Sequence, residues 1–154
     1  MNNFSLVLAE LGNEIGLPEL ALDADGKCTL AFDNVVVNFE LVGDQQLLLI
    51  HTCLGQAPES PSAALYAQLL EANHFFAATG GATIGLHSAS RSIDMAMVRE
   101  TQSLTYPCFT HALEGFVHVA EHWRSQILTP QEQDSIGEIP LSEDLVLPSL
   151  HMRA

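Results

Sequence analysis

Residues Leu65 to His87 read LYAQLLEANHFFAATGGATIGLH, and this stretch joins a helix to a strand. Leu65, Leu69, Ala72 and Phe76 recur at helical spacing, which predicts an amphipathic helix. Thr79-Gly80-Gly81 follows, and a glycine pair supplies the positive-φ conformations that end a helix. Ala82 to Leu86 can then run extended. No side chain here has the chemistry of a catalyst, so the stretch reads as assembly hardware.

Upstream, Phe4, Val7, Leu8, Leu11 and Ile15 form one apolar stripe, predicting a helix from about Asn3 to Gly16 that Gly16 and Pro18 stop. Cys28 to Phe32 and Val35 to Leu41 flank Asp33-Asn34, a pair that tolerates left-handed backbone and suits a two-residue hairpin turn. That turn sets a register: Phe32 faces Val35, Leu30 faces Val37 and Cys28 faces Phe39, an apolar row on one face of the sheet. Gly43-Asp44 turns again. Gln46 to Leu54 is expected as a central strand whose run Leu47 to Ile50 is buried on both faces.

Ser62 is the expected N-cap of a helix running to about Ala77. Ala82 to His87 and Ser92 to about Thr101 pair across Ser88 to Arg91. Tyr106 or Pro107 opens the last helix, with Phe109, Leu113, Phe116, Val117, Ala120 and Trp123 toward the core. The order α-β-β-β-α-β-β-α predicts an α+β fold, a mainly antiparallel five-stranded sheet with three helices.

Leu69-Leu70-Glu71-Ala72-Asn73, Thr79 to Thr83 and Gly85-Leu86, in that order, resemble the small acidic class I chaperones of bacterial type III secretion, the Tir chaperone family. The likeness takes in Leu11-Gly12 and Ile15-Gly16-Leu17-Pro18 and covers about residues 3 to 128. It implies a cytoplasmic homodimer that binds the N-terminal segment of a secreted effector in extended form and keeps it competent for export. Self-association is implied through the second helix and following strands, here Leu65, Leu69, Phe76 and Ile84. A secretion ATPase or sorting machinery is a further expected partner. The apolar stripes nominate Val7, Leu11, Leu30, Phe32 and Val37 as effector contacts, although the same stripes suit a core. A related reading is a regulatory chaperone-like protein that sequesters a secretion regulator.

Composition agrees. The 154 residues suit a chaperone domain over 1–128, and an acidic, Pro-punctuated tail over 129–154 that is expected to be flexible. With 47% hydrophobic but only 16% charged residues, some apolar surface is expected to stay exposed. The net charge of −14 excludes nucleic acid as the main partner and disfavours anionic membrane, because both need clustered Lys and Arg. No secretory leader or membrane span is recognised, which suggests the cytoplasm. Cys28, Cys53 and Cys108 show neither disulfide nor zinc spacing and are expected to be reduced and mostly buried.

His118-Val119-Ala120-Glu121-His122 fits H-x-x-E-H, in which two imidazoles one turn apart bind zinc and the glutamate acts as base. His111 adds a candidate third ligand, making a small zinc hydrolase the enzymatic alternative. A five-residue pattern arises readily by chance among seven histidines, and the residues after His122 offer no substrate cleft, so a polar edge of the last helix is the preferred reading. There is no G-x-S-x-G and no phosphate loop. His74 and His87 are best read as structural histidines, and Asp94 and Glu100 as solvated charges. The chain is therefore expected to bind without catalysis, cofactor or metal.

Overall fold

A computed structural model describes residues 3–60 and 62–128 of the chain. The elements are α1 (Asn3–Glu14), β1 (Lys27–Phe32), β2 (Val35–Val42), β3 (Leu47–Gln56), α2 (Ala63–Asn73), β4 (Thr83–His87), β5 (Ser92–Glu100) and α3 (Tyr106–Leu128). The strands form one antiparallel sheet in the order β1-β2-β3-β5-β4. Both the element order and the central place of β3 follow the sequence pattern. The tail reading falls on 129–154, outside the described residues.

Asp33 takes φ 49 in the two-residue turn, and the register is the one this turn dictates: Phe32 opposite Val35, Leu30 opposite Val37 and Cys28 opposite Phe39. Leu30, Val35, Val37 and Phe39 of that row are buried, while Cys28 and Phe32 at its ends are half-buried. The helices account for the burial. Phe4 of α1, Phe39 of β2 and Phe109 of α3 meet with ring centroids 5.5 to 5.9 Å apart, in the tilted and edge-on arrangements aromatic quadrupoles favour. Leu48, Ile50, Leu54, Ile93 and Met95 complete this side of the sheet. On the opposite face Val36, Cys53, Val98 and Thr83 are exposed, and Asn38, Leu49, His51 and Ala96 are half-buried.

That one-sided packing corrects the expectation of a doubly buried β3: Leu48 and Ile50 are enclosed, but Leu47 is exposed and Leu49 half-buried. A continuous apolar run marks a strand without saying how many of its faces are covered. The cysteine expectation is also corrected. Cys53 and Cys108 are exposed and Cys28 is half-buried, because residues 53 and 108 fall on the solvent side of β3 and α3.

The helix expected to reach Ala77 instead ends at Asn73. Its start is as expected, with the Ser62 side chain accepting the Leu65 N–H at 3.2 Å. Its end is set by Asn73, whose carboxamide donates to the Ile84 carbonyl and accepts the Ile84 N–H, each at 2.8 Å. A side chain thus supplies both bonds that a neighbouring strand would make. His74 to Phe76 form a single 3₁₀ turn in which Phe75 and Phe76 take φ 51 and 58. Left-handed backbone at a bulky residue costs on the order of 1–3 kcal/mol. The aromatic rings gain little burial in return, for Phe75 is 87% exposed. The chain then turns through Gly80 and Gly81 at φ 60 and 88, and Trp123 of α3 donates from Nε1 to the Ala78 carbonyl at 2.9 Å.

Two substitutions test this turn. Asn73→Ala leaves both Ile84 backbone groups without their partner and is expected to lower stability by roughly 1–3 kcal/mol in urea unfolding, with faster amide exchange at Ile84. A Cβ added at Gly81 meets no atom within 4 Å, so the loss of roughly 1–3 kcal/mol expected for Gly81→Val is attributed to its positive-φ backbone; an unchanged melting curve contradicts that.

Candidate functional site: an open sheet edge

A sheet of five strands has two edges, and they differ in how their outward backbone groups are used. Along β4 and the residue before it, the outward positions are Ala82, Ile84 and Leu86. The Asn73 carboxamide takes both groups of Ile84, and the Ala82 N–H donates to the Thr79 carbonyl at 3.1 Å. Only Leu86 lies beyond the clamp, too little for a strand to pair with.

In β1 the two-residue turn directs Cys28, Leu30 and Phe32 toward β2 and leaves Lys27, Thr29 and Ala31 facing outward. Lys27 is taken: its N–H donates to Asp23 Oδ1 at 2.9 Å and its carbonyl accepts the Asp23 N–H at 2.8 Å. No neighbouring strand, loop or side chain among the described residues pairs with the outward N–H and C=O of Thr29 and Ala31, the Thr29 N–H meeting only the adjacent Cys28 thiol, and both residues are exposed. The Thr29 hydroxyl donates to Asn38 Oδ1 at 2.9 Å, which keeps the side chain over the sheet.

Cys28 and Phe32 of β1, with Ile15, Leu20 and Leu22 of the segment that leads from α1 to β1, form a rim of half-buried apolar side chains packed against the core. Leu17 to Leu20 are drawn onto α1 at Gly12, where an added Cβ would lie 2.5 Å from the Leu17 carbonyl oxygen, so only glycine fits. Burial and the nearby Asp23 carboxylate push the Cys28 thiol up from its usual range, with the Thr29 backbone opposing them. A thiol pushed up in this way holds less of the nucleophilic thiolate, so Cys28 reads as part of the apolar rim.

Val7, Leu11, Leu30 and Val37, nominated from apolar stripes, are all buried, and only Phe32 of that set reaches the rim. Leu65, Leu69 and Ile84, expected at a subunit interface, are buried too, whereas Phe76 is exposed. Neighbouring apolar residues that sequence periodicity did not single out, Leu70, Phe75 and Leu86, are exposed beside them; Leu70 is 71% open. A position-by-position stripe marks the inward face, whereas outward apolar residues break the period and carry no periodic signal.

His118 and His122 stand exposed on α3 with Glu121 half-buried, and His111 is exposed as well. No group of three or more His, Cys, Asp or Glu among the described residues is placed to hold a metal ion. A depression of about 180 Å³ on the sheet, lined by Lys27, Thr29, Asn38, Glu40 and His51 among others, is below the roughly 300 Å³ of a small-molecule site. No helix among the described residues is long and apolar enough to cross a membrane.

The fold is shared with solved secretion chaperones. A chain of the ExsC–ExsE complex superposes with a TM-score of 0.70 at 24% identity, covering 83% of this chain and 96% of that one. A chain of the ExoU–SpcU complex from the type III secretion system of Pseudomonas aeruginosa gives 0.64 at 14% identity, covering 80% and 97%. A chain of the Yersinia pestis type III secretion chaperone SycH in complex with a fragment of YscM2 gives 0.62 at 19%, covering 78% and 98%. In sequence, a Chlamydia pneumoniae protein, CPj0713/CpB0740, is 33% identical over 110 residues, 70% of this chain and 82% of that protein. The model of the Tir chaperone protein (CesT) family matches residues 7–124. The chain belongs to the Tir chaperone protein (CesT) family.

Proposed function

We propose that this protein is a type III secretion chaperone that binds a secreted effector and that the effector seats an extended segment against β1. The observation that carries the reading is the pair of unpartnered backbone positions, Thr29 and Ala31, above an apolar rim. An extended chain gains backbone hydrogen bonds there, and every second side chain lies against Phe32 and Cys28, over a floor of Val7, Leu11, Leu30 and Val37. Wrapping a disordered segment over surface of this kind buries on the order of 1,000–3,000 Å², which offsets its ordering without ATP. Catalysis and cofactors have no part in it.

The working unit we propose is a cytoplasmic homodimer. Leu70, Phe75, Phe76 and Leu86 supply apolar contact over Leu65, Leu69 and Ile84, and a twofold interface of that kind leaves each subunit's β1 free. Such a dimer carries −28, twice −14, which keeps exposed apolar surface soluble. The N-terminal segment of the effector is the part bound, and the loaded chaperone then meets the secretion ATPase or sorting machinery.

Proline at position 31 tests the seat. The Ala31 N–H points outward, so Ala31→Pro removes one bond to an added strand without touching the β1–β2 ladder. Tagged full-length protein purified from the source organism is expected to lose its effector at least tenfold on Ala31→Pro or Phe32→Asp, by quantitative mass spectrometry, with Tm near the parent value for Ala31→Pro and lowered, with the protein still folded, for Phe32→Asp. Leu30→Asp, at a buried position, is expected to unfold instead. Undiminished effector on folded Ala31→Pro protein contradicts the seat.

A further inference from the structure

We propose that β1 selects effector strands by charge, taking a short segment with apolar residues at alternate positions and lysine or arginine at its two ends. The inference rests on the proposed seating of effector at β1 and adds the chemistry of what is seated. Length comes from the edge itself. Pairing is stopped on one side at Lys27, whose outward groups Asp23 occupies, and on the other at Asp33, where φ 49 turns the chain away. Thr29 and Ala31 between them lie about 7 Å apart along the strand. An incoming strand therefore pairs over about four or five residues before both of its ends run past carboxylates.

Asp25 is exposed near one end and Asp33 at the other. Asp23 adds a third charge, with its Oδ1 accepting the N–H groups of Asp25 and Lys27 at 2.9 Å each. Lys27 is the cation here, and its ammonium lies 3.4 Å from Glu40, which offsets it. Counting Asp23, Asp25, Asp33 and Glu40 against Lys27, the edge holds four negative charges to one positive. The other cations of the described residues are engaged elsewhere: Arg91 at the Pro58 carbonyl, Arg99 at that of Val98 and Arg124 at that of Cys53. Basic ends are thus drawn in, and acidic ends meet unrelieved repulsion.

The faces of the added strand differ as well. Side chains on the helix side lie beside Cys28 and Phe32 and are best apolar, whereas those on the open side lie beside Thr29 and Ala31, which impose nothing but small size.

The test uses the full-length protein and phage-displayed random 15-residue peptides. Selected sequences are synthesised with Lys, Gln or Glu at the two ends of their apolar core, and affinities are measured at low salt and in 0.5 M NaCl. Lys ends are expected to bind about two- to fivefold tighter than Gln ends per charge, and Glu ends weaker, because exposed ion pairs contribute modestly. In 0.5 M NaCl the three series should converge. In Asp25→Asn/Asp33→Asn protein the Lys and Gln peptides should converge without added salt. Equal binding of Lys and Gln peptides at low salt overturns charge selection, as does a preference that survives the double substitution; if those peptides still protect the Thr29 and Ala31 amides from exchange, the seat at β1 stands. Failure of every displayed peptide to bind, or protection only at other amides, removes the seat and the selectivity together.

Discussion

Every open sheet ends in two rows of backbone groups that must find a partner, and in this protein the two rows are treated oppositely. One edge is closed by a side chain. The Asn73 carboxamide makes the two bonds at Ile84 that a further strand would make, and in doing so it ends α2, aligns β4 and removes a template for uncontrolled pairing. The other edge is closed only at Lys27, by Asp23, and is left open at Thr29 and Ala31. A fold that blocks one edge with side chains while leaving the other bare fits the proposal that a single strand is added at a defined place.

The helices explain why the open edge is useful rather than merely unfinished. Because α1 and α3 cover one face of the sheet, the triad of Phe4, Phe39 and Phe109 carries the core, and the row Cys28–Leu30–Phe32 emerges from that core toward the edge. An arriving strand extends the backbone ladder and the buried face at once. Backbone bonds tolerate any sequence, so they hold without selecting. In the proposed seat, selection falls to the side chains at the two ends and on the apolar face, with its sign set by the carboxylates around β1.

Much of the architecture is legible in the chain. Asp33-Asn34 between two apolar strands determines turn length, turn length determines register, and register decides that Leu30, Val37 and Phe39 share the inner face, as they do. The glycine pair at 80–81 likewise marks the start of a strand through its positive φ. The end of α2 is less legible, since the apolar period runs on through Phe76 while the helix stops at Asn73. What stops it is a hydrogen bond to a residue eleven positions away, which no local pattern reports. The site is harder still. Apolar periodicity finds inward faces, so Val7, Leu11, Leu30 and Val37 are legible as apolar but lie buried, while Thr29 and Ala31, where we propose the effector seats, offer backbone groups that leave no side-chain signal in the sequence.

Amide exchange at those two residues measures the central claim most directly. In the complex isolated with its natural effector, the N–H groups of Thr29 and Ala31 should exchange markedly more slowly than in the free protein, with Ile84, already held by Asn73, little changed. Equal exchange at Thr29 and Ala31 in the free and loaded protein, alongside protection elsewhere, would contradict the account.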